Sequence, residues 1–234
     1  MKILGIDTSS KYCNVAIIEE KDILIEYTIN GFIKKHSSIL IPAIQEMFNK
    51  IELKIGDIDG VAVTIGPGSF TGLRIGLGSA KGLSYAACIP ITGIHTLDVL
   101  AYNAARLPVI LCPVLDARKN EVYFALFRGG NHFKKIIDYQ CNSVDKLLDR
   151  LKNIQENIIF LGEGILKYQK RIEDILGSRA IILCQTLSTI KASNVAFLGL
   201  EKIRNGQIDN AFSISPFYLR KSEAEISWEK RHKI

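Results

Sequence analysis

The sequence predicts an α/β protein built as two lobes of similar mixed-sheet βαβ architecture. Three observations carry that prediction. The 234 residues, 47% of them hydrophobic, are enough to bury a sizeable core and suit one large domain or two small lobes. Apolar runs of strand length alternate with stretches of helical period. The order of elements also starts over: "KILGIDTSSKYCNVAII" and "VILCPVLDARKNEVYFALF" each read as apolar strand, aspartate-containing turn and alternating strand. Identity between the halves is too weak for a sequence repeat, so the repeated order is the signal. The lobes are assigned to residues 1–103 and 104–234, with the helix near 191–205 packing back on the first lobe.

Taken in order, residues 3–6 are a short apolar strand, "DTSSKY" a polar turn and "NVAIIEE" a returning strand. Lys21 and Asp22 turn into "ILIEYTI", which completes an antiparallel meander. In "HSSILIPAIQEMFNKI", Leu40, Ala43, Ile44, Met47, Phe48 and Ile51 recur at helical spacing. Ser37 or Ser38 is the expected N-cap, and Pro42 then falls near the first turn, where proline is tolerated best. "GVAVTI" is a buried strand, a glycine-rich loop follows, and a helix starts near Thr71. "IPITGI" is the next strand and "TLDVLAYNAA" the next helix. In the second half "HFKKIIDY" is a third strand, "SVDKLLDRL" a helix, "NIIFLGEG" a strand and turn, "AIILC" a strand and "NVAFLGLEKIR" a helix.

Composition narrows the function classes. The net charge of +6 aids encounter with nucleic acid, but lysines and arginines are scattered, which favours a solvated surface over a dedicated binding stripe. The five cysteines are odd in number and contain no CxxC pair, so neither a disulfide framework nor a zinc site is indicated. The longest apolar run, residues 107–115, is broken by prolines and too short for a membrane span, and the N-terminus reads as a strand rather than a signal peptide. A soluble cytoplasmic protein is expected.

The stretch "VTIGPGSFTGLRIGLGSAKGL" holds glycines at 66, 68, 72, 76, 78 and 82. It lacks the Gly-Lys-Ser/Thr of a Walker loop, and its third glycine arrives one residue late for GxGxxG, which leaves only a generic anion nest on the phosphate side. As a helix from Thr71, it carries two rows of small residues: Gly72, Gly76, Ala80 and Ser84, and Gly78, Gly82 and Ala86. Interior glycines cost about 1 kcal/mol each relative to alanine, so several in one helix imply close contact, within the chain or with another subunit.

"GIDTSS" offers one carboxylate and three hydroxyls near turn N–H groups, a set able to hold phosphate and hydrated magnesium or to form an ordinary polar turn. Paired with "VLDARKNEVY" it suggests a nucleotide-phosphate clamp from Asp7, Thr8, Ser9, Ser10 and Asp116, with Gly162 and Gly164 of "LGEG" beside an adenosine. No residue stands out as a catalytic base. His36 has Leu40 where a second metal ligand one turn on is needed, His95 and His132 have no Cys or His nearby, and Ser69 is not in a GxSxG elbow, so no catalytic or metal site is assigned.

"ILGIDTSS", "HSSILIPAI", "GPGSFTGLRIGLGSAKGL", "GIHTLDVLA", "LDARKNEVY", "LGEG" and "YLRKSEAE", in order along the chain, resemble the TsaB (YeaZ) family of bacterial tRNA threonylcarbamoyladenosine biosynthesis proteins. The resemblance implies the actin-like ASKHA fold with a reduced second lobe. It implies a non-catalytic scaffold of the modification complex, partnered by TsaD, which carries the transferase site, and by the ATPase TsaE. It also implies homodimerisation in isolation and contact with tRNA only through the complex. The HxxxH metal pair of TsaD is absent here, since His36 is followed by Leu40. No cofactor is required, and at most weak ATP or ADP binding with magnesium is implied. Carried over from the family, the partner interface lies on the first two long helices, near 37–50 and 71–86: Ser37, Leu40, Ile44, Met47, Phe48, Gly72, Arg74, Ile75, Gly76, Ser79, Ala80 and Leu83. The competing readings are an ATP-dependent phosphotransferase or ATPase using Asp7 and Asp116, and, with less support, an M22-type peptidase. Trp228, in a charged tail, reads as an interface anchor or as a residue folded onto its own lobe.

Overall fold

The computed structural model describes residues 1–31, 35–220 and 228. In the first half, β1 (Lys2–Asp7), β2 (Tyr12–Glu19) and β3 (Asp22–Asn30) form the antiparallel meander, followed by α1 (His36–Lys50), β4 (Gly60–Gly66), α2 (Phe70–Ala87), β5 (Ile91–His95) and α3 (Thr96–Tyr102). The second half repeats the pattern with β6 (Ile110–Arg118), β7 (Glu121–Arg128), β8 (Lys134–Ser143), α4 (Val144–Leu151), β9 (Ile158–Leu161), α5 (Gln169–Leu176), β10 (Ala180–Ile182) and α6 (Ala192–Arg204). The sheet orders are β3-β2-β1-β4-β5 and β10-β9-β6-β7-β8. Read from the meander outward they are the same order, with β4 parallel to β1 and β9 parallel to β6. Both sheets keep five strands. The second is shorter where β9 and β10 have 4 and 3 residues against 7 and 5 for β4 and β5.

Period-two alternation sorts side chains into three cores. Leu4, Ile6, Val61 and Val63 face α1 and α2 on the outer side of the first sheet. Their neighbours Ile3 and Ala62 face inward, where Leu97 and Leu100 of α3 and Val195 and Ala196 of α6 meet Leu111 and Phe127 of the second sheet. Ile110, Cys112 and Val114 face α4 and α5. The apolar runs of β1 and β4 follow from burial on both faces. Each fully buried aliphatic side chain contributes about 1.5–3 kcal/mol.

Helix α6 lies on the inner face of the first sheet. A Cβ on Gly199 would overlap that of Ala62, and one on Gly5 would overlap the Ala192 carbonyl oxygen. Its N-terminus is closed from β3: Glu26 Oε1 accepts from Ser193 N at 2.9 Å and from Ser193 Oγ at 3.0 Å. The carboxylate thus meets the positive end of the helix dipole. Beyond α6 the chain runs back along the first lobe. Asp209 N donates to Ile91 O at 2.9 Å, Phe217 N to Ile65 O at 2.7 Å, and Arg220 to Ala117 O of β6 at 2.9 Å.

Two local expectations are corrected. Neither serine caps α1: the N-cap position is Lys35, with no side-chain cap, and Ser38 Oγ donates to Lys35 O at 2.8 Å. Because the helix starts at His36, Pro42 falls inside it, on the exposed side. Helix α5 was not read from the sequence. It is 8 residues long and buries only Ile172 and Leu176, too few for a clear period. Among the described residues no helix is long and apolar enough to cross a membrane.

Candidate functional site

Two regions bring the candidate residues together: a cleft between the lobes and the outer faces of α1 and α2. The cleft holds about 670 Å³ and is lined by Ser9, Ser10, Lys11, Asp116, Arg118 and Glu163, among others. Lys11 and Glu163 approach to 3.8 Å across it.

The two aspartates are not equivalent. Asp116 is exposed, and its Oδ1 accepts from Arg118 N at 2.8 Å, closing a turn in which Arg118, Lys119 and Asn120 all have left-handed backbone (φ 64, 51 and 62). Asp7 is fully buried. Its Oδ1 accepts from Ser9 N at 3.0 Å, Ser9 Oγ at 2.5 Å and Thr64 Oγ1 at 2.8 Å, and its Oδ2 from Asn14 Nδ2 at 2.9 Å. Of the two turns read as a phosphate clamp, both line the cleft through Ser9, Ser10 and Asp116, but Asp7 itself points into its own sheet, because neutral donors on β2 and β4 and in its own turn surround it. Thr8 and Ser9 are buried with it. Gly162 and Gly164 let the turn after β9 press on β6. A Cβ on Gly164 would stand 2.6 Å from Leu115 C, and Gly162, at φ 100, faces the Val114 carbonyl.

The glycine helix divides in the same way. Gly72, Gly76 and Ala80 are buried. A Cβ on Gly72 would overlap the Thr8 carbonyl oxygen, and one on Gly76 the Thr8 hydroxyl. That row is bare because the chain's own β1–β2 turn lies on it. The second row is open: among the described residues nothing stands within 4 Å of where a Cβ on Gly78 or Gly82 would be.

The interface residues expected from the family sort by the same test. Leu40, Ile44, Met47 and Phe48 are buried, because the apolar stripe of α1 is spent on its own sheet. Ser37 and Arg74 are exposed, and Ile75, Ser79 and Leu83 are half-buried. The surface of these helices also presents residues that sequence reasoning missed: Ile41 (48% exposed), Phe70, Tyr85 (66%) and, from the segment after α6, Phe212 (78%) and Tyr218. Phe70 stacks on Tyr218 at 5.0 Å with the Arg74 guanidinium 4.0 Å above the Phe70 ring, and Tyr85 meets Phe212 edge-on at 5.4 Å. Tyr85 follows Gly78 and Gly82 along one helical face, a signal present in the sequence. Phe212 and Tyr218 are brought there from a distant loop and carried no such signal.

A half-buried polar cluster bridges the lobes elsewhere. Tyr139 of β8 donates to Asp98 of α3 at 2.8 Å, and the His95 ring lies 4.3 Å from that of Tyr139 and 4.6 Å from that of Phe217. Burial, then the charges of Lys135 and Lys202, push His95 down to about 4. Burial raises Asp98. Burial and Asp98 together raise Tyr139.

A family model described as TsaD: tRNA N6-adenosine threonylcarbamoyltransferase matches residues 22–228. Among curated relatives, the "tRNA threonylcarbamoyladenosine biosynthesis protein TsaB" of Bacillus subtilis is 32% identical over 234 residues, covering 100% of both chains. That of Haemophilus influenzae is 30% identical, covering 98% of this chain and 97% of the relative. The solved structure of YeaZ from Pseudomonas aeruginosa aligns with a TM-score of 0.76 at 24% identity, covering 93% of this chain and 99% of that one. An activator of 2-hydroxyisocaproyl-CoA dehydratase from Clostridium difficile, solved with bound ADPNP, aligns at 0.52 and 12% identity, covering 90% and 99%. These two structures speak for the fold alone, which is the two-lobed actin-like ASKHA architecture.

Proposed function

The chain belongs to the family that this model describes and, within it, to the TsaB proteins of tRNA threonylcarbamoyladenosine biosynthesis; on that premise we infer that it serves the modification as a non-catalytic subunit, docking a TsaD-type transferase through the outer faces of α1 and α2. One observation carries the docking. Gly78 and Gly82 sit inside a helix with open space beyond them. Each costs about 1 kcal/mol relative to alanine. Gly72 and Gly76 recover that cost against Thr8, whereas Gly78 and Gly82 have nothing among the described residues to recover it against. Their compensation lies in a second helix laid close on this face, with Ile41, Tyr85 and Phe212 as apolar anchors beside it.

The non-catalytic part rests on Asp7, whose carboxylate is committed to holding its own turn. A phosphotransferase using Asp7 and Asp116 has correspondingly less support. In this role the chain needs no cofactor, pairs with a second copy through the same face when the transferase is absent, joins a TsaE-type ATPase in the complex, and meets tRNA through that complex in the cytoplasm.

The test is Gly78→Leu and Tyr85→Arg, each titrated against the TsaD-type partner by calorimetry and run alone on size exclusion. Both variants are expected to stay folded and lose the partner complex. Binding unchanged from the parent chain would refute the assignment.

A further inference from the structure

The turn at residues 7–10 reads by composition as a phosphate turn, yet its polar groups are spent on the chain itself. The Asp7 carboxylate accepts four hydrogen bonds and is fully buried. The Thr8 hydroxyl donates to the carbonyl oxygen of Gly72 at 2.7 Å. Ser69 N donates to Ser9 O at 2.7 Å. Gly68 faces Ser9, and Gly72 and Gly76 face Thr8, each too closely for a Cβ. A magnesium–phosphate group does not fit here: the carboxylate points away from the cleft and its donors hold it there. The contacts of Thr8 and Ser9 with the glycine helix all land on the loop before α2 or on its first two turns.

We propose that this turn positions the docking helix: Thr8 and Ser9 fix the entry and rotation of α2, and so the presentation of Arg74, Gly78 and Tyr85 to the partner. Thr8 is the positioning residue, acting through the Gly72 carbonyl. Loss of its hydroxyl leaves a buried acceptor with one partner fewer and frees the first turns of α2 to shift. The inference rests on the docking role given above.

The experiment compares Thr8→Val, which keeps the shape and removes the donor, with Thr8→Ser, which keeps the donor. Tyr85→Arg serves as the control for docking itself. Affinity for the TsaD-type partner is read by calorimetry, and amide exchange is read across residues 66–80. Thr8→Val is expected to weaken the complex about tenfold and to speed exchange in the first turns of α2. Thr8→Ser is expected to restore both, and Tyr85→Arg to weaken the complex without changing exchange. Binding by Thr8→Val within about twofold of the parent, with Tyr85→Arg disrupted, overturns this inference alone. Normal binding by Tyr85→Arg overturns the docking role and this inference with it. On the unmodified chain, ADP with magnesium is expected to leave exchange at residues 7–10 unchanged, and protection confined to that turn would overturn the proposal without any variant.

Discussion

The two glycine rows of α2 call for opposite responses to the same substitution. At Gly78 an added methyl meets nothing within 4 Å among the described residues. Gly78→Ala therefore gains helix propensity and loses unfolded-state entropy, stabilising the isolated chain by about 0.5–1 kcal/mol. At Gly76 the methyl would overlap the Thr8 hydroxyl, which is itself held at 2.7 Å from the Gly72 carbonyl oxygen. Overpacking by one methyl costs ~1–3 kcal/mol and loss of the Thr8 bond about 1, against a propensity gain of about 1. Gly76→Ala is thus expected to destabilise by about 1–3 kcal/mol. Urea denaturation of the two variants and the parent, with a common slope, measures both numbers. If Gly76→Ala were as stable as Gly78→Ala, the assignment of the first row to contact within the chain would be wrong.

Other perturbations follow from the same structure. Glu26→Ala removes the carboxylate that closes α6, and is expected to cost about 1–2 kcal/mol in the same denaturation assay. Tyr139→Phe leaves the half-buried Asp98 carboxylate with a donor fewer, and is expected to lower stability by about 0.5–1.5 kcal/mol near neutral pH. His95, held near 4 against an ordinary 6.5, binds its proton more readily in the unfolded chain. Its contribution is complete above about pH 6.5 and is lost as pH falls toward 4, by about 2 kcal/mol after allowance for its partial exposure. Asp98, raised by burial, acts in the opposite sense as pH falls toward 3.8, so the His95 effect is read as the difference between the parent and His95→Gln across pH 4–7.

Much of the fold was legible because burial on both faces writes long apolar runs into β1 and β4, and because the strand–turn–strand opening occurs twice. The glycine rows were legible as rows. Which row the chain fills depends on the phase of α2 over the β1–β2 turn, a tertiary fact with no local signal. The stripe Leu40, Ile44, Met47 and Phe48 reads alike for either use: an amphipathic helix spends its apolar face on its own sheet first, which leaves exposed the residues between, such as Ile41. "DTSS" reads alike whether its groups hold phosphate or neighbours, and only the positions of Thr64, Asn14 and Gly72 distinguish the two. Phe212 and Tyr218 reach α2 from a loop, where no periodicity marks them.

The most direct test of docking as the chain's contribution is reconstituted modification: TsaD-type and TsaE-type partners, tRNA and the threonylcarbamoyl donor, with the chain supplied as parent, as Gly78→Arg with Gly82→Arg, or as Asp116→Ala. The account predicts that the double variant, though folded, gives no more product than omitting the chain, that excess partner restores part of it, and that Asp116→Ala matches the parent. Full modification by the double variant would contradict it.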